Sequence, residues 1–141
     1  MGDRAFVDTN VLVYLVDRTT PDKQAVAERI WAPSRELVLS TQVLNEFYSV
    51  TTTKGTRFLE PEAAEQFLLR FCALEVVPAD AALVLAAVHR SRTDSLSLWD
   101  ALLVEAALAA GCTRLLTEDM QHGRSFDGLV VENPFRGVKR R

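Results

Sequence analysis

Cysteine is scarce in this 141-residue chain, and the two present, Cys72 and Cys112, stand apart with no CxxC spacing. That argues against a zinc knuckle or a disulfide scaffold, suits a reducing compartment, and predicts two free, mostly buried thiols. Long apolar runs are also missing. Asp8, Arg70 or Glu105 interrupts the longest of them, well short of the about 18 residues a spanning helix needs. The start of the chain shows no basic-then-apolar signal pattern. A cytoplasmic protein without a membrane partner is therefore expected. Repeats, linkers and low-complexity segments are absent as well. Lysine occurs only at positions 23, 54 and 139, and the formal net charge is -3. Arg136, Lys139, Arg140 and Arg141 place four positive charges in the last six residues, which leaves an acidic body. Such a body attracts nucleic acid poorly without local basic groups or metal ions.

What remains is an ordinary globular composition, 48% hydrophobic and 25% charged, of a length that fits one domain. We place that domain at residues 1–135 and a basic C-terminal tail at 136–141. Short strands are predicted at residues 4–7, 36–39, 75–77, 113–117 and 129–131. Helices are expected from residue 9 to 17, from Pro21 to about 32, after the Ser40-Thr41 cap, from about 60 to 73, from Asp80 to about 91, and from Ser97 to 110. Pro33-Ser34 should stop the second helix, residues 92–95 form a polar break, and residues 118–128 form a loop. Strands alternating with helices imply an α/β fold, a three-layer sandwich with a central parallel sheet of four to five strands and helices on both faces. The order 3-2-1-4-5 puts its switch point between strands one and four, where such sheets bind ligands.

Acids gather at the ends of these elements. Asp8 ends the first strand and Thr117-Glu118-Asp119 the fourth, while Glu46 and Asp100 lie on helices. Each has a plain structural reading: Asp8 as a helix N-cap, Glu46 as a solvated surface charge, Asp119 as a turn former, Asp100 as the acid at the third helical position of a capping box begun by Ser97. Asp100 fits its plain reading least well. Leu96, Leu103, Val104 and Ala107 stand at its helical neighbour spacings, where an unpaired carboxylate is costly.

With no Lys, Arg or His inside these motifs, a divalent cation is the natural compensating charge, and hard oxygen ligands select Mg²⁺ or Mn²⁺. Acids holding such ions suit phosphoryl chemistry, in which the metal polarises the phosphate and activates water. Thr9, Asn10 and Thr117 are placed to orient ligands or waters, although each is also a plausible cap or strand-end residue. His122, three residues after Asp119, is a candidate substrate contact, and His89 reads as a helix-surface side chain. Trp99 reads as a core or rim aromatic. Tyr14, Phe47 and Tyr48 are core or partner-surface candidates.

The segments 6–14 (FVDTNVLVY), 40–48 (STQVLNEFY), 97–103 (SLWDALL), 115–123 (LLTEDMQHG) and 133–135 (NPF), taken in order, resemble PIN-domain ribonucleases, and in particular VapC-like toxins of bacterial type II toxin-antitoxin pairs. The resemblance covers essentially the whole chain. It implies a PIN-like fold and a Mg²⁺- or Mn²⁺-dependent endoribonuclease acting on RNA, often a homodimer, silenced by a cognate antitoxin. Carried onto matching positions, it implies metal-binding and catalytic acids at Asp8, Glu46, Asp100 and Asp119, supported by Thr9, Asn10 and Thr117. Glu118 stands beside the Thr-x-Asp acid and could share its role.

Two other readings compete. In an aspartyl-phosphate phosphatase or receiver-like domain Asp8 itself would attack phosphorus, but such sites usually want an acid two residues on or a nearby lysine, and position 10 is Asn. A module that binds RNA or protein without cleavage is the non-enzymatic alternative, against which the presence of all four acids argues.

Overall fold

The computed structural model describes residues 3–32, 36–55 and 58–138. The expected helix stop at Pro33-Ser34 and the tail residues Lys139, Arg140 and Arg141 lie outside the described residues. In chain order the elements are β1 (Arg4–Val7), α1 (Thr9–Tyr14), α2 (Pro21–Trp31), β2 (Glu36–Ser40), α3 (Thr41–Thr52), α4 (Pro61–Phe71), β3 (Glu75–Val77), α5 (Ala81–Asp94), α6 (Leu98–Ala109), β4 (Arg114–Leu116), β5 (Ser125–Phe126) and β6 (Leu129–Glu132). The sheet order is β3-β2-β1-β4-β6-β5. All pairs are parallel except the β5–β6 edge. The expected order therefore holds for the five longer strands, with the expected fifth strand standing as β6.

Side-chain alternation along the strands explains why both faces are covered. Phe6, Val38 and Leu115 enter one core with Val43 and Phe47 of α3, Phe71 of α4 and Val104 of α6. Their neighbours Ala5, Val7, Leu37 and Leu116 enter another with Val11, Ile30 and Phe135. A sheet buried on both faces needs apolar residues at successive positions, and β1 and β4 have them. Helix α6 buries Ala101, Leu102, Leu103, Val104, Ala106 and Ala107, nearly all round its axis, and its small residues let α5 approach at Ala87. Among the described residues no helix is long and apolar enough to cross a membrane.

Four local expectations are corrected. Helix α1 ends at Tyr14 instead of running to Asp17, because the buried Asp17 carboxylate accepts the Thr19 N–H at 2.9 Å and its hydroxyl at 2.6 Å, a local turn that competes with helix. Helix α5 runs on through the expected polar break to Asp94. Arg90 pairs with Asp94 one turn on at 2.9 Å, Arg124 donates to the Asp94 carbonyl at 2.8 Å, and the helix stops at left-handed Ser95. The expected loop at 118–128 contains β5, joined to β6 by Asp127-Gly128 with φ of 50° and 92°, the two-residue hairpin turn that Asp-Gly favours. Phe126 holds this edge between the guanidinium groups of Arg124 and Arg90, 4.6 and 5.9 Å from its ring centroid. Finally, Cys72 is exposed at the end of α4, where Phe71 takes the core position, while Cys112 is buried as expected.

Phe47 is fully buried and meets Phe71 edge-on at 4.9 Å, next in sequence to Glu46. Phe47→Ala should therefore cost about 3–5 kcal/mol of folding stability. Urea unfolding followed by circular dichroism checks this, with the exposed Val130→Ala on β6 expected to change little.

Candidate metal centre

The register of β1 against β4 builds the site. Val7 pairs with Leu116, so Asp8 and Thr117 leave the sheet side by side at its carboxyl end. The Asp8 N–H still donates to the Leu116 carbonyl at 3.0 Å. Asp8 is extended, and its Oδ1 accepts the first free N–H of α1, from Thr9, at 2.7 Å. Its other oxygen accepts the Thr117 hydroxyl at 2.8 Å. The same hydroxyl oxygen accepts the Asp119 N–H at 3.1 Å, which turns Asp119 back toward Asp8. The Asn10 side-chain amide donates to Asp119 Oδ2 at 3.0 Å, with Thr117 Oγ1 and Asp8 Oδ2 at 3.3 and 3.4 Å.

Glu46 approaches from α3, its Oε2 taking the Thr9 hydroxyl at 3.0 Å and its Oε1 the Gln42 amide at 3.1 Å. Gln42 also reaches the Trp99 carbonyl at 3.4 Å and so ties α3 to the start of α6. Asp100 stands in the first turn of α6, half-buried, its N–H capped by Ser97 Oγ at 3.0 Å.

Asp8 and Asp100 each feel the charges of Asp119 and Glu46. Burial raises the Asp8 pKa to about 6 against the opposing hydrogen bonds from Thr117 and Thr9, and the charges of Asp119 and Glu46 push the same way. Asp100 is raised as well, first by burial, against a hydrogen bond from Ser97, and then by Asp119 and Glu46. Among the described residues no ion pair reaches any of the four. Nor do three described Asp, Glu, His or Cys side chains stand close enough to hold an ion among them directly. The donor set nevertheless fits Mg²⁺, which keeps several waters and is usually held by one or two carboxylates. Asp8 and Asp119, joined through Asn10, offer such a pair.

Glu118 turns elsewhere. Its carboxylate accepts the Tyr14 hydroxyl at 2.5 Å and the Lys23 ammonium at 3.0 Å. Tyr14, Lys23 and Gln42 are neighbours of the site that no site assignment from sequence included. Gln42 stands one helical turn before Glu46 in the sequence, a spacing that could have signalled it, but nothing in sequence links Lys23 to position 118. His122 Nδ1 accepts the Asn133 N–H at 3.0 Å, and His122 lines a cavity with Asp3, Thr113 and Arg114, residues at the amino ends of β1 and β4. The acids stand at the opposite, carboxyl ends of those strands. Trp99 is 63% exposed.

The fold is an α/β sheet that sets Asp8 and Thr117 side by side at its switch point. The model of the PIN-domain family matches residues 5–124, and the chain belongs to that family. Among solved structures it is similar to a toxin-antitoxin complex from Klebsiella pneumoniae, with 18% identity, TM-score 0.65, and 92% of this chain and 97% of that one covered. It is similar to Mycobacterium tuberculosis VapC20, described as a sarcin-ricin loop cleaving toxin, with 23% identity, TM-score 0.63, and coverage of 79% and 86%. FitAcB from Neisseria gonorrhoeae gives 18% identity, TM-score 0.66, and coverage of 94% and 99%. At these identities the likeness is one of fold. No curated protein sequence matches the chain significantly.

A carboxylate whose pKa is raised on folding favours the folded state below its unfolded value, near 3.8, and this contribution is lost as pH rises through about 6. In metal-free buffer, lowering pH from 7.5 to 4.5 should stabilise wild type relative to Asp8→Asn by about 2 kcal/mol. Urea melts across that range with a chelator present check it; parallel pH profiles for the two proteins would contradict the burial of Asp8 as a charged group.

Proposed function

We propose that this chain is a divalent-metal-dependent endoribonuclease, the toxin of a toxin-antitoxin pair, hydrolysing RNA phosphodiester bonds with an activated water. The observation that carries the reading is Asp8, 5% exposed, facing Asp119 and Glu46 with no cation paired to it among the described residues. Asp8 and Asp119 would hold Mg²⁺ or Mn²⁺, with Asp100 and Glu46 completing the negative field. A bound ion supplies polarisation of the phosphate and a lowered pKa for the attacking water. Thr117 and the Thr9 N–H fix the Asp8 carboxylate, Asn10 fixes Asp119, and Thr9 with Gln42 fixes Glu46. Positions set by hydrogen bonds in this way lose little entropy when substrate arrives.

RNA as substrate and an antitoxin as partner are supported by family membership and by the toxins among the similar structures. A homodimer is part of the same reading, and α5 offers it an apolar face in Val84, Leu85 and Val88, 36%, 70% and 41% exposed. Cytoplasmic action on RNA follows from this function. The phosphatase or receiver-like alternative is weakened, because Lys23 is already bound to Glu118 and Tyr14.

Asp8→Asn and Asp100→Asn should each lower RNA cleavage by more than about 100-fold, since loss of even a ligand's hydrogen-bonding partner typically costs 10- to 100-fold. Cleavage of an RNA substrate at matched concentration, with circular dichroism as fold control, checks this; near-normal activity in both would contradict the assignment. Saturating Mn²⁺ at pH 7.5 should also raise the melting temperature by several degrees, because binding at a hundredfold excess over Kd contributes about 2.7 kcal/mol. The rise should shrink near pH 5, where protons compete for the acids, and be much reduced in Asp8→Asn.

A further inference from the structure

Lys23 reaches from α2 to the turn that carries Asp119. Its Nζ donates to Glu118 Oε2 and to the Tyr14 hydroxyl oxygen, both at 3.0 Å, while the Tyr14 hydroxyl donates to Glu118 Oε1 at 2.5 Å. The ammonium lies 4.8 Å from the Tyr14 ring centroid and 5.8 Å from that of Phe135, and these two rings meet edge-on at 4.7 Å. The three polar groups close a ring, and the two aromatic rings form an apolar wall along one side of it. Both carboxylate oxygens of Glu118 are used there, while the flanking Thr117 donates to Asp8 and Asp119 accepts from Asn10. The Glu118 N–H donates to Asn10 Oδ1 at 3.4 Å, so Asn10 spans both the clamp and the acid crevice.

For stability alone this pair has modest value. The Lys23 and Glu118 side chains are 23% and 22% exposed, and the cost of desolvating such a pair offsets much of its attraction. Its position suggests a different use. An unbound ammonium at the neighbouring residue would be the natural partner for Asp119, and would neutralise the charge a divalent ion needs. We propose that Glu118 and Tyr14 sequester Lys23, holding its ammonium out of the acid crevice so that the crevice stays free for a divalent cation. Glu118 is then a positioning residue that acts through Lys23 and not as a ligand. This inference rests on the metal-dependent reading above.

The test is calorimetric titration of Mn²⁺ into metal-stripped protein at constant ionic strength, with metal-free thermal melts as fold control. Glu118→Gln should weaken Mn²⁺ binding by at least about tenfold, the scale of a lost positioning partner. Lys23→Met alone should stay within about threefold of wild type, and Glu118→Gln/Lys23→Met should return to within about threefold, a strong coupling in the double-mutant cycle. Tyr14→Phe, which removes one of the two Lys23 partners, should give a smaller loss that Lys23→Met also relieves. A double mutant as weak as Glu118→Gln would mean that Glu118 supports the turn itself and would overturn the proposal. So would a Lys23→Met gain equal to the Glu118→Gln loss, the pattern of simple charge at a distance. Wild type that binds Mn²⁺ while Glu118→Gln binds it equally well overturns the sequestration alone. Wild type that binds no Mn²⁺ overturns the metal reading and the inference together.

Discussion

Keeping the Asp8 carboxylate buried at the end of the central strand is the constraint to which the rest of the structure answers. Its two oxygens receive hydrogen bonds from the Thr9 N–H and the Thr117 hydroxyl, and these offset part of the cost of burial. They do not offset all of it, since its pKa still rises to about 6. Adding Asp119 and Glu46 nearby raises the cost further. A fold that places like charges together without a cation gives up stability, and such strain is a recognised mark of functional sites.

The scaffold holds this arrangement from several directions. Strands β1 and β4 are adjacent and doubly buried, so their ends cannot drift apart without disturbing both cores. Helix α3 brings Glu46 in because the neighbouring Phe47 is locked among Phe67 and Phe71. Helix α6 brings Asp100 in because its following two turns are buried almost completely. Gln42 joins those two helices through the Trp99 carbonyl. Coupling of packing to site geometry makes the acids a property of the whole domain.

Much of this was legible in the sequence, and the reasons are local. Asp8 follows an apolar run and precedes cap-type residues, Ser40 caps α3 as expected, α5 starts at Asp80 with that residue as its cap, and the alternation of strand and helix implies the parallel sheet that five strands form. The misses have physical causes. Residues 92–94 look like a break because their polar side chains carry no sign of Arg90, whose bonds to Asp94, Glu105 and Asp127 hold that turn in place. The β5–β6 hairpin has a sequence signal in Asp127-Gly128, but a two-residue strand has no periodicity to go with it. The Lys23–Glu118 clamp was not legible at all. Contacts between residues 95 positions apart leave no spacing signature, and they exist only once α2 has packed beside α1.

The central claim is that the buried acids are a cation site. A crystal grown or soaked with Mn²⁺ tests it most directly, through the anomalous signal of the metal. The account predicts a peak about 2 Å from an Asp8 carboxylate oxygen, with Asp119 bound directly or through water. A well-ordered crevice with no anomalous peak at saturating Mn²⁺, or a peak placed away from Asp8 and Asp119, would contradict it.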